Sequence, residues 1–587
     1  MGVGYGTVSM RGFNGEGVLN AVKLLIDGVP SNANDGNTYY IDMVPRLDIE
    51  TVEVVKGTND PRYGLHNIAG NVNLVTKQGG NYTQGRVTAG SFGTAGVQAA
   101  KGIENENVSQ NYALGYQRTN GFRDHSDANA TNFSGKWFVK SGGGQSRIGL
   151  IVKHLQNEAQ EPGYLTSAEF SANPWQMAPK SATDRDERRA TQVAVQAESA
   201  VNGQLHVSGQ VYMNELFDER YVKFPDSSRQ ERRLLDESNY GSSDNATYRM
   251  GQTSLGDTVL VGGVDTERQD NFNYRNRPAT DTAANVVRRD HQYNFNTLGA
   301  FVQAAIKPTP KLTVTPAYRV DKIDGDAQVR VDTGTGAVAA GTYPVNDYGL
   351  IKQPKLSVAY KVKESVTAYG NVGRTFQVGT GKAAFKTSSS NVLPSINNGW
   401  ELGLKLLPSS WFNSRIAVWE QTASSETRTL LANPANDTVN VGETKRHGVD
   451  LEFNGKPTSG LGIWGGVSVQ KAEILSTGKE VDHVPHVLYS LGMDYRINND
   501  WKVGSSITGQ SSYFIDTTNP EKTGAYTLVN ASVGYKLNKT TDVDFQVRNL
   551  TNQLYRYSYD NVYAGSPGNF YAPNAPRSFF AGINFKL

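Results

Sequence analysis

Two short runs near the N-terminus gather the side chains best suited to holding a small ligand. Residues 32–40 (NANDGNTYY) offer Tyr39 and Tyr40, and residues 60–66 (DPRYGLH) offer Arg62, Tyr63 and His66. Aromatic faces stack on flat molecules, and a guanidinium makes charge-assisted hydrogen bonds. Together they suit a polar, often anionic and flat metal chelate. The plainer reading makes Tyr63-Gly64 a turn and Tyr39-Tyr40 core. Arg220, Tyr221, Lys223, Arg232 and Arg233 add basic character further along, but Glu215, Asp218, Glu219 and Asp236 surround them. A mixed run of this kind reads as a solvated loop.

Covalent and metal chemistry find little support. The eight histidines form no HExxH or comparable ligand cluster. His483 and His486 flank Val484-Pro485 at a loop-to-strand entry and read as structural. There is no Gly-x-Ser-x-Gly elbow and no phosphate-binding loop. The absence of cysteine removes disulfides and thiolate metal sites. No catalytic residue, tightly bound cofactor or resident metal is assigned, and the chain does not read as an enzyme. A formal charge of +2 argues against a nucleic-acid surface.

The elements that position these residues follow from periodicity. Only 37% of the 587 residues are hydrophobic, mean hydropathy is −0.49, and Gly (61) and Tyr (29) are abundant. No run of about 18 apolar residues is present. A membrane barrel, however, hides its lipid-facing residues in every second position. From residue 82 onward, about ten residues alternate, a tiny turn follows, and ten more alternate before a longer polar loop. At 400–406, Trp400, Leu402, Leu404 and Leu406 alternate with Glu401, Gly403 and Lys405. At 527–537, Thr527, Val529, Ala531, Val533, Tyr535 and Leu537 share one face.

Connections are asymmetric. Short turns are expected at Gly142–Gln145, Val201–Gly203, Gly256-Asp257, Lys307–Lys311, Lys363–Ser365, Pro408–Ser410, Asn498–Asp500 and Asn538–Thr540. Long polar segments are expected near 158–186, 215–245, 273–292, 326–349, 375–398, 424–442 and 555–575. Short turns at one rim and long loops at the other belong to an outer-membrane barrel, and the count gives about 22 strands, the size of plugged transporters. The last segment, 576–587, should close against the first strand, because an open edge in hydrocarbon strands backbone groups at several kcal/mol each.

Residues 45–77 carry the most specific pattern, PRLDIETVEVVKGTNDPRYGLHNIAGNVNLVTK. With Met10-Arg11-Gly12-Phe13 and Leu24–Pro30 before it, and Arg548–Tyr555 near the C-terminus, the chain resembles the TonB-dependent outer-membrane receptors. Asn71 stands where that family more often carries glycine. The resemblance implies an all-β transmembrane barrel over 81–587 enclosing a small, partial α+β plug over 1–80. It implies plug–barrel contacts from Arg11 and Lys56 to Glu401 and Asp450, the last standing where Glu is usual. It places Tyr39, Tyr40, Arg62, Tyr63 and His66 on plug loops facing the extracellular vestibule.

By the same resemblance the protein is a bacterial outer-membrane receptor for a scarce nutrient, most often a ferric siderophore. Its expected partners are TonB with its inner-membrane energising complex, outer-membrane lipid and lipopolysaccharide, and a small metal chelate. It is expected to be a monomer. The alternatives are a non-transporting surface receptor, a receptor for a corrinoid or citrate-type chelate, and a passive channel. Met1–Gly6 is not a secretory signal, and the resemblance begins partway through a plug. The sequence is therefore expected to be a fragment without the segment that TonB contacts, unable in this form to transport actively.

Overall fold

The computed structural model describes residues 8–13, 21–223, 229–333, 337–387, 391–429, 438–516, 518–559 and 570–587. Its frame is a closed ring of 22 antiparallel strands running from Tyr82–Gly90 to Ser578–Lys586. Two short ribbons, Gly341–Pro344 and Lys479–Glu480, lie alongside the ring, and the strands flanking each pair directly with one another. The ring closes with Phe580 opposite Gly90 and Lys586 opposite Gln84. Closure satisfies the backbone within the strands themselves, as hydrocarbon requires.

Alternation sorts the side chains. Along Ser395–Ser409, Trp400 and Leu402 are 39% and 61% exposed on the outside, while Glu401 between them is 2% exposed. Trp411, Trp464 and Trp501 lie exposed close to the short turns, as in an aromatic girdle at the membrane interface.

The structure moves several expected boundaries. The segments 215–245 and 273–292 are mostly strand, in Leu205–Val222, Glu231–Thr253, Gly256–Arg277 and Val286–Thr309, with connections only at 223–230 and 278–285. These strands continue past the length that crosses the hydrocarbon. There the outer face is wetted, so polarity ceases to distinguish strand from loop. Longer connections at 120–127, 475–486 and 511–525, and short turns at 105–107 and 456–460, escaped the sequence pattern. The turn expected at Gly256-Asp257 lies at 254–255. Of the segments 424–442 and 555–575, residues 430–437 and 560–569 lie outside the described residues.

Inside the ring is a four-stranded sheet: β1 (Val22–Ile26), β2 (Val29–Pro30), β3 (Ile49–Lys56) and β4 (Gly70–Thr76), in the order β2-β1-β4-β3. β1 runs parallel to β4, and β3 antiparallel to it. Asp27 and Gly28, both at positive φ, make the two-residue turn between β1 and β2. Among the described residues, two 3-10 turns, Tyr39–Met43 and Arg46–Asp48, supply the helical content of this lumenal part. Its core is shared with the wall: Leu24, Ile26, Tyr40, Met43 and Leu74 pack with Leu155, Ala190 and Leu216 of the barrel.

Candidate functional site

Polar side chains from wall strands on several sides reach the lumenal sheet. Arg11 is 8% exposed and its guanidinium meets the Glu401 carboxylate, with an Asp450 oxygen 3.4 Å away. Glu401 also accepts from Arg415 and, at 2.6 Å, from the Tyr369 hydroxyl. Asp450 accepts from Ser468 Oγ at 2.7 Å, and the Arg11 guanidinium lies 4.8 Å from the centre of the Trp419 ring. The structure therefore brings Arg11, Glu401 and Asp450 together. Lys56 pairs instead with Glu452, which Arg415 approaches at 3.6 Å. Glu452 was legible in principle, because it sits two residues from Asp450 and so on the same face of a strand.

A second group of ion pairs was missed in the sequence. Asp27, at the β1–β2 turn, accepts from Lys153 Nζ at 2.6 Å and from the Thr76 N–H and Oγ1 at 2.7 Å each. Asp48 accepts from Lys136 Nζ at 2.8 and 2.9 Å. All four charged side chains are at most 1% exposed. Burial alone pushes the Asp27 carboxyl up, but the charges of Lys153 and Lys136 and its hydrogen bonds outweigh this and hold it below the usual carboxylate range. The one available signal was a lysine at an inward position of an otherwise small or apolar strand face. A single such lysine is easily taken for a solvated residue.

The loop after β3 is held from the other side of the barrel. Lys355 Nζ donates to the Thr58 carbonyl at 2.6 Å, and Arg319 to the Arg62 carbonyl at 3.1 Å. Arg319 is itself fixed by Asp265 and Asp321 at 2.8 and 2.6 Å. Gln421 donates to the Ile68 carbonyl at 2.9 Å.

The five ligand candidates divide. The Arg62 side chain is 50% exposed, pairs with Asp60 at 2.8 Å and lies 5.3 Å from the Tyr63 ring centre. Burial pushes the Tyr63 phenol up to about 12, so it remains a protonated donor at neutral pH. A cleft opens beside this pair, walled by Lys23, Tyr212, Asp265 and Glu267. Tyr39, Tyr40 and His66 are buried at 8%, 0% and 3%. The expectation that these three face the vestibule is corrected: Tyr39 and Tyr40 pack in the shared core, and His66 adjoins Leu65, which is covered by Tyr293, Val345 and Phe385 of the wall and loops. An aromatic pair in a short polar run gives no alternation from which its burial can be read.

The family model described as TonB dependent receptor-like, beta-barrel, matches residues 27–550. The chain belongs to this family. It is an outer-membrane β-barrel. Among relatives, it is 22% identical over 325 residues to the probable TonB-dependent siderophore receptor PiuA of Acinetobacter baumannii, covering 51% of this chain and 42% of that protein. It is 25% identical over 347 residues to the ferrichrome outer membrane transporter/phage receptor of Escherichia coli, covering 52% and 44%. The matched part thus spans less than half the length of these relatives. Among solved structures, the unliganded ferric citrate transporter FecA superposes with a TM-score of 0.84 at 18% identity, covering 100% of this chain and 92% of that one. The siderophore receptor PiuA from Acinetobacter baumannii gives 0.80 at 16% identity, covering 99% and 90%. TonB-dependent receptors are transport receptors rather than enzymes. Within this one, the ion pairs of the lumen and the Arg62–Tyr63 edge gather polar side chains on the lumenal sheet and the loop after β3.

Proposed function

We propose that this chain is the ligand-binding and gating part of a TonB-dependent uptake receptor for a metal chelate of the ferric-siderophore class. Residues 1–80 act as its plug and 81–587 as its barrel. The observation that carries the reading is the tethering of the lumenal sheet. It is tied to wall strands on opposite sides through Asp27–Lys153, Asp48–Lys136, Arg11–Glu401 and Lys56–Glu452. In this reading the tethered sheet blocks the lumen, so a ligand crosses only if the sheet is displaced. The outer membrane has no nucleotide supply, and the work of displacement must come from an inner-membrane partner, TonB with its energising complex. The Arg11, Lys56, Glu401, Asp450 and Glu452 network is the part that yields. It is shared among several partners, and Lys56 and Glu452 are partly solvated. The remaining surroundings in this reading are outer-membrane lipid and lipopolysaccharide.

The test is accumulation of radiolabelled iron from a panel of ferric chelates in iron-starved cells producing the full-length protein, with and without TonB. Energy-dependent uptake of at least one chelate only in TonB-positive cells is expected. Equal accumulation in both strains would overturn the reading in favour of a passive channel.

A further inference from the structure

Between the lumenal part and the wall lies a group of oxygens that no cationic side chain serves. It joins the 33–37 loop, which follows β2, to two neighbouring wall strands, Glu231–Thr253 and Gly256–Arg277. Glu237 faces inward and is 1% exposed. Its two carboxylate oxygens accept from the Asn34 N–H at 3.0 Å and from Asn271 Nδ2, directly opposite in the register, at 2.8 Å. Two residues along the same strand face, Asn239 donates to Asn34 Oδ1 at 2.7 Å. Asp35, next to Asn34, accepts from the Asn37 N–H and Nδ2 at 2.9 and 2.6 Å.

The charges here do not balance. Glu237 feels the like charges of Asp35 and Asp218, and among the described residues no lysine or arginine pairs with Glu237 or Asp35. The Arg188 guanidinium, on the neighbouring layer, is already shared by Asp186 and Asp218 at 3.5 and 3.2 Å. A carboxylate taken out of water costs on the order of several kcal/mol unless an opposite charge answers it. Hydrogen-bond partners are also lacking. The Asn239 and Asn271 Oδ1 atoms and the Tyr40 hydroxyl are buried without one, and Asn239 and Tyr40 are 1% and 0% exposed. Turning the Asn34 and Asn239 amides over does not help, since one bond joins them and an amide oxygen stays spare either way. Spare buried oxygens beside unanswered carboxylates point to a cation that they surround.

Carboxylate and amide oxygens from three segments are the ligands on offer, and hard cations take such a set. Calcium accepts about six to eight oxygens in flexible geometry, Asn carbonyls included, whereas magnesium demands a near-ideal octahedron. Among the described residues no group of three carboxylates or histidines is placed to hold a metal by itself, so amide oxygens and water must complete the shell. We infer that Glu237 and Asp35, with the amide oxygens of Asn239 and Asn271, hold a calcium-class cation that fastens the 33–37 loop to the barrel wall. The cation answers both like charges and gives the spare oxygens a partner. Tyr39 and Tyr40 follow the loop directly and pack in the core shared with the wall, so the cation steadies that core as well. The inference stands apart from the uptake reading, because a barrel that transports nothing could still bind the ion.

The experiment is calcium binding to the refolded full-length protein, stripped with EDTA and followed by isothermal titration. Mg2+ is the comparison ion, and barrel folding is checked by heat-modifiable gel mobility. It is run on the wild type, Glu237→Gln, Asp35→Asn and a surface control, Asp270→Asn, whose exposed carboxylate pairs with Arg268. Wild-type protein is expected to bind Ca2+ at about 1 mM or tighter, the range of extracellular modules, and Mg2+ at least about tenfold more weakly. Glu237→Gln and Asp35→Asn should each weaken Ca2+ about tenfold or more, because ligand charge sets affinity. Asp270→Asn should leave it unchanged. Saturating Ca2+ should slow hydrogen exchange across 31–43 in the wild type and not in Glu237→Gln. The inference is overturned if the wild type binds no Ca2+ up to about 10 mM, or binds Mg2+ as tightly. It is equally overturned if folded Glu237→Gln and Asp35→Asn bind Ca2+ like the wild type, or if exchange at 31–43 ignores Ca2+. The spare oxygens then hold water and Glu237 a proton. Loss of chelate uptake leaves each of these readouts in place, so the two readings fail separately.

Discussion

Asp27 and Lys153 lie 2.6 Å apart with no solvent exposure on either side chain, one in the hairpin of the lumenal sheet and the other in the barrel wall. Removing one partner leaves the other charge buried, which commonly costs about 3–5 kcal/mol. Asp27→Ala is therefore expected to loosen the sheet while leaving the ring of strands closed. Hydrogen exchange should rise in residues 22–30 and 70–76 and stay flat in the wall. The double replacement Asp27→Leu/Lys153→Met should recover much of the protection, because an apolar pair needs no desolvation of charge. Unchanged exchange in Asp27→Ala would show that the pair does not anchor the sheet.

Acid should act on the same anchor with a definite sign. The Asp27 carboxyl is held below the usual carboxylate range, since the nearby lysines and hydrogen bonds outweigh burial. A depressed value means the ionised form is favoured in the folded state. Its contribution is full above the ordinary Asp value of about 3.9 and is lost as pH falls through the depressed one. Protection of the β1–β2 hairpin is expected to be level from pH 8 to about pH 5 and to fall below about pH 4. A loss of protection already complete at pH 6 would assign the anchorage to some other group.

The sequence exposed the barrel well and its upper parts poorly, for one physical reason. Where lipid lies outside and the lumen inside, residues such as Trp400, Glu401 and Leu402 must alternate, and their inward or outward sense is readable. Above the membrane the outer face is wetted, and Arg220, Arg232 and Arg233 look like a solvated loop. Register separates them: Arg232 faces outward to Glu219 at 2.7 Å, while Arg220 and Arg233 lie on inward positions directly opposite each other. Arg11, Glu401 and Asp450 were legible because recognisable blocks surround them. Lys136 and Lys153 were not, because their acidic partners come from 88 and 126 residues away and no local pattern joins them.

Within the Arg11 network the two ends should not be equivalent. Arg11→Ala leaves Glu401 with Arg415 and Tyr369 as partners. Glu401→Ala removes the common acceptor of Arg11, Arg415 and Tyr369 at once. The larger loss, about 3 kcal/mol or more, is therefore expected for Glu401→Ala, and Arg11→Ala should cost about half of that or less. Protease accessibility of residues 45–77 in the refolded protein measures both. The reverse order would mean that Arg11 bonds mainly to Asp450, and that the Glu401 contact is secondary.

Two glycines of the lumenal sheet separate backbone strain from collision. Gly28 has φ +80, and a Cβ there would meet only Gln210 Oε1 at 4.0 Å. Gly28→Ala should therefore cost about 1 kcal/mol, for the left-handed backbone alone. Gly70, the first residue of β4, has φ +132, and a Cβ would fall 2.0 Å from the Val55 carbonyl oxygen of β3. A backbone atom cannot turn aside as a side chain does. Gly70→Ala must then shift β3 against β4, at a cost above the 1–3 kcal/mol of strain alone. Because β3 ends in Lys56, the shift should also draw Lys56 from Glu452. Hydrogen exchange through 49–56 and 70–76 should accelerate strongly in Gly70→Ala and only slightly at 26–30 in Gly28→Ala. Equal effects at the two sites would show that β3 and β4 tolerate separation, and that the seal of the lumen depends on the wall contacts instead.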